Sequence, residues 1–289
     1  MVCRGLLNAG ATCYANAATQ LLAHCDAFVA YVGRPPPGCD KAAAVGELMA
    51  WMRTPNGGDG LKVPAALLRI AAPFMDVGRQ NDAHEFLGHV IDELEEEAKA
   101  NGRAELFATL FRGVERVTTS CSGCAAVETG KEEFTTIALP LPTSIPGRDE
   151  GVTLEALLGG HMAPDEVTGR ACEPCKAKCG ATRTHVFARL PRILVLSVKR
   201  FAWDGSTTRR PVILPLRLPV SATKEYRLAC VVCHRGGQTG GHYAAFCPEG
   251  PEGPGGVGWT VHDDDVTIET AGPPDPSAVY MAAYEMRKM

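Results

Sequence analysis

One cysteine near the start of the chain has the setting of a nucleophile. Cys13 follows a segment in which Gly10 suits a turn and Thr12 suits a helix N-cap, and helical spacing begins behind it. At a helix N-terminus, unpaired N–H groups and the helix dipole lower the pKa of a thiol. The amide of Asn8, upstream, is a candidate donor to an oxyanion beside the sulfur. Taken singly, a cysteine is more often a packing residue and an asparagine a turn residue.

A late histidine and an acidic cluster supply the other groups that a cysteine protease needs. His242 lies between paired glycines and a β-type run, so its ring can approach a cleft at little steric cost. Asp263 and Asp264 follow in a segment able to supply a carboxylate to the imidazole, although such a cluster is often a solvated turn. The other histidines are predicted to be structural: His24, His84, His89, His161, His185, His234 and His262.

Two C-x-x-C pairs predict a structural zinc ion. Cys121 pairs with Cys124 and Cys172 with Cys175, each beside Gly or Pro and between β-type runs. Four thiolates at this spacing are typical of a tetrahedral zinc site. Cys179 is either a spare thiol or a substitute ligand. The later pair, Cys230 and Cys233, has the same spacing inside an apolar strand, so we interpret both as packing residues on opposite sides.

Composition limits the class of protein. The chain has 289 residues, 29 Lys and Arg against 33 Asp and Glu, a formal charge of -4 and 12 cysteines. That length supports one large or two small domains without disulfides. No signal-type apolar stretch or membrane-length run occurs, so we expect a soluble intracellular chain, cytoplasmic or nuclear, with reduced thiols and no membrane partner. The near-balanced charge lacks a basic block and excludes nucleic acid as the expected partner.

The elements that must position these residues change type along the chain. Before about Phe111, apolar residues recur at helical spacing, as with Phe86, Val90 and Leu94. After it come short runs rich in Val, Thr, Ile and aromatic residues, separated by Gly and Pro. This order predicts an α+β fold in which an early helix must bring Cys13 to the later strands.

Six segments occur in a recognisable order. They read GLLNAGATCYANA at 5–17, QNDAHEFL at 80–87, LPRILVLSVKRF at 190–201, GHYAAF at 241–246, WTVHDD at 259–264 and VYMAAY at 279–284. Together they resemble the ubiquitin-specific protease family of deubiquitinating enzymes (ubiquitin carboxyl-terminal hydrolases) over nearly the whole chain. The resemblance implies a papain-like cysteine protease fold in one catalytic domain, residues 1–289. Its parts would be a helical thumb at 1–110, zinc-bearing β fingers at 111–189 and a β-sheet palm at 190–289.

The same resemblance implies a role for each motif residue. Cys13 matches the nucleophile, His242 the general base and acid, and Asp263 the residue that orients the imidazole. Asn8 matches an oxyanion-hole residue and Asp264 a second polar residue beside the triad. The positions matched to contacts with the ubiquitin tail or cleft are Gln80, Asp82, Glu85 and Tyr243. The zinc ligands implied are Cys121, Cys124, Cys172 and Cys175.

Three positions depart from the family pattern without replacing a reacting group: Asn81, Thr260 and His262. His262 puts a titratable ring beside Asp263, which predicts an altered pH profile. The function implied is thiol-dependent hydrolysis after the C-terminal glycine of ubiquitin, by a monomer acting on ubiquitin or ubiquitinated proteins. Three alternatives stay open, namely a protease for another ubiquitin-like modifier, a non-catalytic ubiquitin-binding member and a zinc-ribbon nucleic-acid binder.

Overall fold

The structure is a computed structural model that describes residues 3–54, 62–142, 151–201, 206–221, 223–237, 240–253 and 256–287. Side chains are described throughout these ranges except at residues 251–253. Among the described helices, none has both the length and the apolar character that crossing a membrane requires.

Helices occupy the first part of the chain, as the apolar spacing predicts. They are α1 (Cys13–Ala23), α2 (Asp26–Val32), α3 (Asp40–Met52), α4 (Ala65–Ala71), α5 (Ala83–Ala100) and α6 (Ala104–Phe111), with α7 (Leu154–Met162) lying later, between strands. Helix α1 is buried along its whole length. Two of its polar side chains donate to backbone carbonyls, Thr19 to that of Ala15 and Gln20 to that of Arg4. A helix buried on every side is a core helix, and α1 carries Cys13 at its first position.

The rest of the chain forms strands. They are β1 (Gly113–Cys121), β2 (Val127–Phe134), β3 (Thr136–Pro140), β4 (Val152–Thr153), β5 (Asp165–Ala171), β6 (Lys178–Arg189), β7 (Ile193–Lys199), β8 (Val212–Ile213), β9 (Arg217–Ser221), β10 (Lys224–Gly237), β11 (Gly240–Gly253), β12 (Gly256–Asp263), β13 (Val266–Thr270) and β14 (Val279–Met286). Helices followed by mainly antiparallel sheets confirm the α+β prediction.

The larger sheet has eight strands and carries the late motifs. Its order is β13-β12-β11-β10-β14-β7-β3, with β9 added beside β10. Every pair is antiparallel except β3 with β7. Strand β7 is buried from Ile193 to Val198, and β14 from Val279 to Tyr284. Helix α1 packs on β10, β11 and β12, and on α5. The cysteine helix and the histidine strand therefore share one core.

The smaller sheet has four strands in the order β2-β1-β6-β5. Strands β1 and β2 form one antiparallel hairpin and β5 and β6 another, and β1 pairs with β6 between them. Most side chains on β2 and β5 are exposed or half-buried. The ends of the two hairpins lie together because Cys121 on β1 is the register partner of Ala181 on β6.

Candidate active site and metal cluster

Cys13 is the first residue of α1 and is buried, with 4% of its surface exposed. Burial raises the pKa of its thiol above the usual value of 9.0, while the backbone N–H of Tyr243 is the strongest influence in the opposite direction. Position at a helix N-terminus predicted a lowered pKa, and that expectation is wrong for this state of the site because desolvation outweighs the N–H groups. The influence of Tyr243 places the sulfur beside the residue that follows His242 on β11.

His242 and Asp263 meet across two neighbouring strands. His242 is near the start of β11, and Asp263 is the last residue of β12. The Oδ1 atom of Asp263 lies 2.5 Å from Nε2 of His242. Each side chain is about half exposed. Because Nε2 is paired with Asp263, Nδ1 is the ring nitrogen left for the thiol. Among the described residues, no hydrogen bond joins Cys13 to His242, so the two must draw closer before a proton passes. Hydrogen bonds of this kind are often long in substrate-free sites.

Asp264 does not pair with the histidine but anchors two asparagines. Its Oδ2 accepts from Asn8 Nδ2 and its Oδ1 from Asn16 Nδ2, both at 2.8 Å. The backbone supports this arrangement, because Asp264 has φ 53° and its carbonyl accepts from the N–H of Leu6. A Cβ at Gly5 would lie 2.5 Å from the Asp265 carbonyl oxygen, so only glycine allows this close approach.

Asn8 is held from both ends of its amide. Its Oδ1 accepts from the backbone N–H groups of Gly10 and Thr12, each at 3.0 Å, while one N–H of its Nδ2 donates to Asp264. The second hydrogen on Nδ2 is thus presented in a fixed direction. Sequence reasoning gave Asn16 no role, although it lies within the cysteine motif. Its interaction with Asp264 joins residues 248 apart in sequence, which no local spacing reveals.

Asp82 joins the helices to the sheet. Its Oδ1 accepts from the N–H groups of His84 and Glu85 and so caps α5. Its Oδ2 accepts from the hydroxyls of Tyr243, at 3.5 Å, and Tyr280. Burial raises the pKa of the Tyr243 phenol, and Asp82 adds to that effect, so the phenol stays protonated as a donor. Tyr280 is a residue that sequence reasoning missed.

The other predicted contact residues differ in their surroundings. Gln80 donates from Nε2 to the Gly241 carbonyl at 3.3 Å and so bridges the helical side and the strand that carries His242. Glu85 lies on the exposed face of α5, its Oε1 3.9 Å from His89 Nε2. A cleft of about 290 Å³ runs past Cys13. Its other lining residues are Tyr14, Gln80, Asn81, Asp82, Phe201, His234, Gly237, Gly240, Gly241 and Tyr243.

Burial tests two further predictions, one on the titration of His262 and one on the packing role of Cys230 and Cys233. His262 is 2% exposed, and burial lowers the pKa of its ring to about 3. The ring therefore stays neutral at ordinary pH, and the prediction that its titration alters the pH profile is wrong. Cys230 and Cys233 are both buried, in different core clusters on the two faces of the sheet, which confirms them as packing positions.

The four cysteines of the two C-x-x-C pairs lie together at the hairpin ends of the four-stranded sheet. Their sulfur atoms all lie within 4.8 Å of one another, and those of Cys124 and Cys172 are 3.7 Å apart. Both turns have the same form, since Ala125 and Lys176, each directly after the second cysteine, have φ of 58° and 56°. Four thiols at this separation are a donor set that can hold one metal ion.

Backbone N–H groups favour the thiolate form at Cys121, one of the four cysteines. The N–H of Gly123 donates to Cys121 Sγ at 3.4 Å. The N–H groups of Cys124 and Gly123 lower the pKa of Cys121 to about 6. Cys179 lies beside the cluster, with its Sγ 3.8 Å from that of Cys175, but it is outside the set whose sulfurs are all mutually close.

A cysteine at the start of a buried helix, with a His–Asp pair on the adjoining sheet, is the arrangement of a cysteine hydrolase. The family described as "Ubiquitin carboxyl-terminal hydrolase" matches residues 4–284, and the chain belongs to that family.

Curated relatives agree with this membership. The chain is 28% identical over 279 residues to "Ubiquitin carboxyl-terminal hydrolase 36" of Drosophila melanogaster, an alignment covering 84% of this chain and 26% of the relative. The protein of the same name from Drosophila mojavensis is 27% identical over 280 residues, covering 84% and 23%. The chain thus spans about a quarter of the length of these relatives.

Solved structures share the fold. The chain matches a SAGA DUB module of Ubp8, Sgf11, Sus1 and Sgf73 bound to monoubiquitin with a TM-score of 0.78 and 21% identity, covering 99% of this chain and 69% of the other. It matches the same kind of module bound to ubiquitin aldehyde with a TM-score of 0.76 and 21% identity, covering 99% and 70%. At this identity the likeness establishes the fold.

Proposed function

We propose that the chain is a deubiquitinase that hydrolyses the isopeptide or peptide bond after the C-terminal glycine of ubiquitin. The observation that carries the proposal is the His242–Asp263 pair, in which Nε2 and Oδ1 are 2.5 Å apart. Tyr243, the next residue after His242, has a backbone N–H that lowers the pKa of the Cys13 thiol, so the pair lies close to the sulfur. Family membership supports the reaction class. Ubiquitin as the modifier is supported by the two structural relatives, one bound to monoubiquitin and the other to ubiquitin aldehyde.

Catalysis begins with proton transfer from Cys13 to His242. Asp263 holds Nε2, so Nδ1 receives the thiol proton and the imidazolium is stabilised by the carboxylate. Because burial raises the pKa of Cys13, little thiolate forms before this transfer. Arrival of the ubiquitin tail in the cleft brings the thiol and the imidazole within hydrogen-bond reach.

The thiolate then attacks the carbonyl carbon of the C-terminal glycine. The oxyanion that forms accepts from the remaining N–H of Asn8 Nδ2 and from the backbone N–H of Cys13. Each such donor is worth roughly 3 to 4 kcal/mol in the transition state. Asp264 and Asn16 act as positioning residues, since Asp264 fixes the Asn8 amide before substrate arrives.

Collapse of the tetrahedral intermediate breaks the bond to the leaving amine. The imidazolium of His242 protonates that amine and a thioester to Cys13 remains. Water, deprotonated by the now neutral His242, attacks the thioester and releases ubiquitin with a free carboxylate. Cys13 recovers its proton from His242, so the cycle closes with no other reactant.

The contacts assigned to the ubiquitin tail are part of the proposal. Gln80 exchanges its bond to the Gly241 carbonyl for one to the tail backbone, and Glu85 offers an exposed carboxylate to the basic tail. The exchange at Gln80 opens the narrow cleft where the tail must thread. Asp82 and Tyr243 already bond to each other, so they shape the wall of the cleft and hold it rigid.

We propose a structural role for the metal cluster and an assignment of the three parts of the domain. Residues 1–110 form the thumb, 111–189 the fingers and 190–289 the palm of one catalytic domain. One Zn²⁺ ion is held by Cys121, Cys124, Cys172 and Cys175. It ties the ends of the two finger hairpins together, and Cys179 is a spare thiol. A monomeric state and an intracellular location stay predictions.

A ubiquitin carrying a C-terminal electrophile tests the function directly. We expect one covalent adduct on Cys13, found by mass spectrometry of the peptide. Cys13→Ala should abolish it, and His242→Ala should slow it by several orders of magnitude. Cys25→Ala, at another thiol buried in the same core, is the matched control and should label normally. Labelling that persists in Cys13→Ala would overturn the assignment.

A second arm separates the modifier from the chemistry. The same electrophile is placed on another ubiquitin-like protein, and turnover is followed with fluorogenic ubiquitin. Faster reaction with the other modifier would show that ubiquitin is not the preferred substrate, while the assignment of the triad would stand. Adduct formation without any turnover would indicate a binding member of the family.

A further inference from the structure

A second cluster of metal-binding side chains lies in the core, away from the C-x-x-C pairs. His24 follows α1 as its C-cap, Cys247 lies on β11, and His262 lies on β12. His24 and His262 each have one ring nitrogen, and Cys247 its sulfur, within 4.8 Å of one another. Sequence reasoning treated both histidines as structural because neither has the glycine-flanked setting of His242.

The two imidazoles are oriented as metal ligands are. His24 Nδ1 donates to the Gln20 carbonyl at 2.8 Å, and His262 Nδ1 lies 3.3 Å from Thr267 Oγ1. In each ring the other nitrogen, Nε2, is buried and has no hydrogen-bond partner among the described residues. In metal sites the ligating histidine is held in the same way, by a hydrogen bond at the nitrogen that faces away from the ion.

Packing alone does not account for these atoms. The rings of His24 and His262 lie 5.2 Å apart between centroids, so they do contact each other, but a phenyl ring would do the same without a polar atom. Thr260, the register partner of Cys247, also has a buried hydroxyl without a hydrogen-bond partner in the described part of the chain. Buried polar atoms are normally satisfied, so three together around one thiol indicate a missing ligand.

We propose that His24, Cys247 and His262 form a second metal site, which binds one Zn²⁺ ion. Two neutral imidazoles and a thiolate suit this borderline cation. Glu249 is placed to supply the fourth ligand, since its Oε1 lies 4.0 Å from His24 Nε2. A surface cavity of about 750 Å³, lined by both His24 and Glu249, provides an entry path.

Bound zinc would join the end of α1 to two strands of the eight-stranded sheet. Helix α1 begins at Cys13, β11 carries His242, and His262 directly precedes Asp263. The ion thus acts as a clamp between the segments that carry the candidate triad. Its ligands are all outside the triad, and the site can be measured without substrate, so its test is independent of the proposed function.

Metal content gives the first test. Protein produced with added zinc, then desalted, should contain about two zinc ions per chain, one for each cluster. His262→Phe, which keeps an aromatic ring in the slot, and Cys247→Ala should each retain about one. Cys233→Ala, at a buried thiol on β10 outside the cluster, is the matched control and should retain two. One ion in the wild type, or two in both variants, would overturn the proposal.

Crystals measured at the zinc absorption edge give a test that does not depend on the stability of a variant. We expect two anomalous peaks in the wild-type protein. One lies among the four cysteines, and the other is bounded by His24, Cys247 and His262. A peak only at the four cysteines, with water between the two imidazoles, would contradict the second site.

Discussion

The eight-stranded sheet and the four-stranded sheet differ in what stabilises them. In the eight-stranded sheet, β7 and β14 are buried almost from end to end and pack into two core clusters. In the four-stranded sheet, Phe134 is the one residue of β2 that is even half-buried, and β5 has no fully buried residue. Apolar burial stabilises the first sheet well and the second poorly. A cluster of four cysteines lies at the end of the poorly buried sheet, where a metal can replace the missing core.

The difference separates two tasks. The candidate catalytic residues lie on elements fixed by the core, which suits reacting atoms that must be held within a fraction of an ångström. The exposed four-stranded sheet offers a broad polar surface, which suits contact with a folded protein partner. Damage to the two sheets is therefore expected to have different consequences.

The largest effect is expected at the metal cluster. Cys172→Ser removes one thiolate, and structural zinc contributes on the order of 10 kcal/mol or more in small domains. We expect β1, β2, β5 and β6 to lose amide protection in hydrogen exchange, while β7 and β14 stay protected. Cys179→Ser, whose sulfur lies beside the cluster, is the matched control and should leave protection unchanged. Uniform loss of protection across both sheets would contradict the comparison.

The second effect concerns the chemistry. In Asp263→Asn the imidazole loses its carboxylate partner, and the analogous change in serine proteases lowers kcat about 10⁴-fold. We expect a loss of roughly 10³ to 10⁴-fold in kcat on fluorogenic ubiquitin, little change in KM, and unchanged hydrogen exchange in both sheets.

A nearby carboxylate provides the control for that change. Asp265 is exposed and has the same chemistry two residues on, so Asp265→Asn should keep kcat within about twofold, in keeping with a surface substitution. If Asp265→Asn were as damaging as Asp263→Asn, the effect would reflect the turn itself and not the bond to His242.

Local patterns predicted what depends on neighbours in sequence. Cys13 at a helix start and the C-x-x-C turns are local features, and both are found in the structure. Asn16 and Tyr280 were missed because their partners, Asp264 and Asp82, are distant in sequence and join them only through packing of helix on sheet. The raised pKa of Cys13 was missed for the same reason, since burial is a property of the assembled core.

The third effect concerns the joint between the helices and the eight-stranded sheet. Asp82→Ala removes the cap of α5 and the acceptor of two tyrosine hydroxyls. A cap is worth about 1 kcal/mol and a hydrogen bond to a charged group about 1.5 to 3 kcal/mol. We expect the free energy of unfolding to fall by about 2 to 5 kcal/mol in urea titrations. Glu85→Gln, at an exposed position on the same helix, should change it by less than about 0.5 kcal/mol.

The effect of Asp82→Ala should be confined to the eight-stranded sheet and the helices packed on it. The loss in Asp82→Ala should appear in the exchange of α5 and β14, which Asp82 joins, while zinc content stays at the wild-type level. Loss of zinc in this variant would mean that the two sheets unfold as one unit.

The smallest effect is the pH dependence of thiol alkylation, which should differ between Cys13 in the core and Cys124 in the metal cluster. Burial raises the pKa of Cys13 above 9.0, so its reactive thiolate is scarce at neutral pH and grows as pH rises. We expect its alkylation by iodoacetamide to accelerate about tenfold per pH unit from about pH 7 to 9 without levelling off. Cys124, although exposed, should stay unlabelled while zinc is bound. A plateau for Cys13 below about pH 7 would instead indicate a thiolate–imidazolium pair formed before substrate binds.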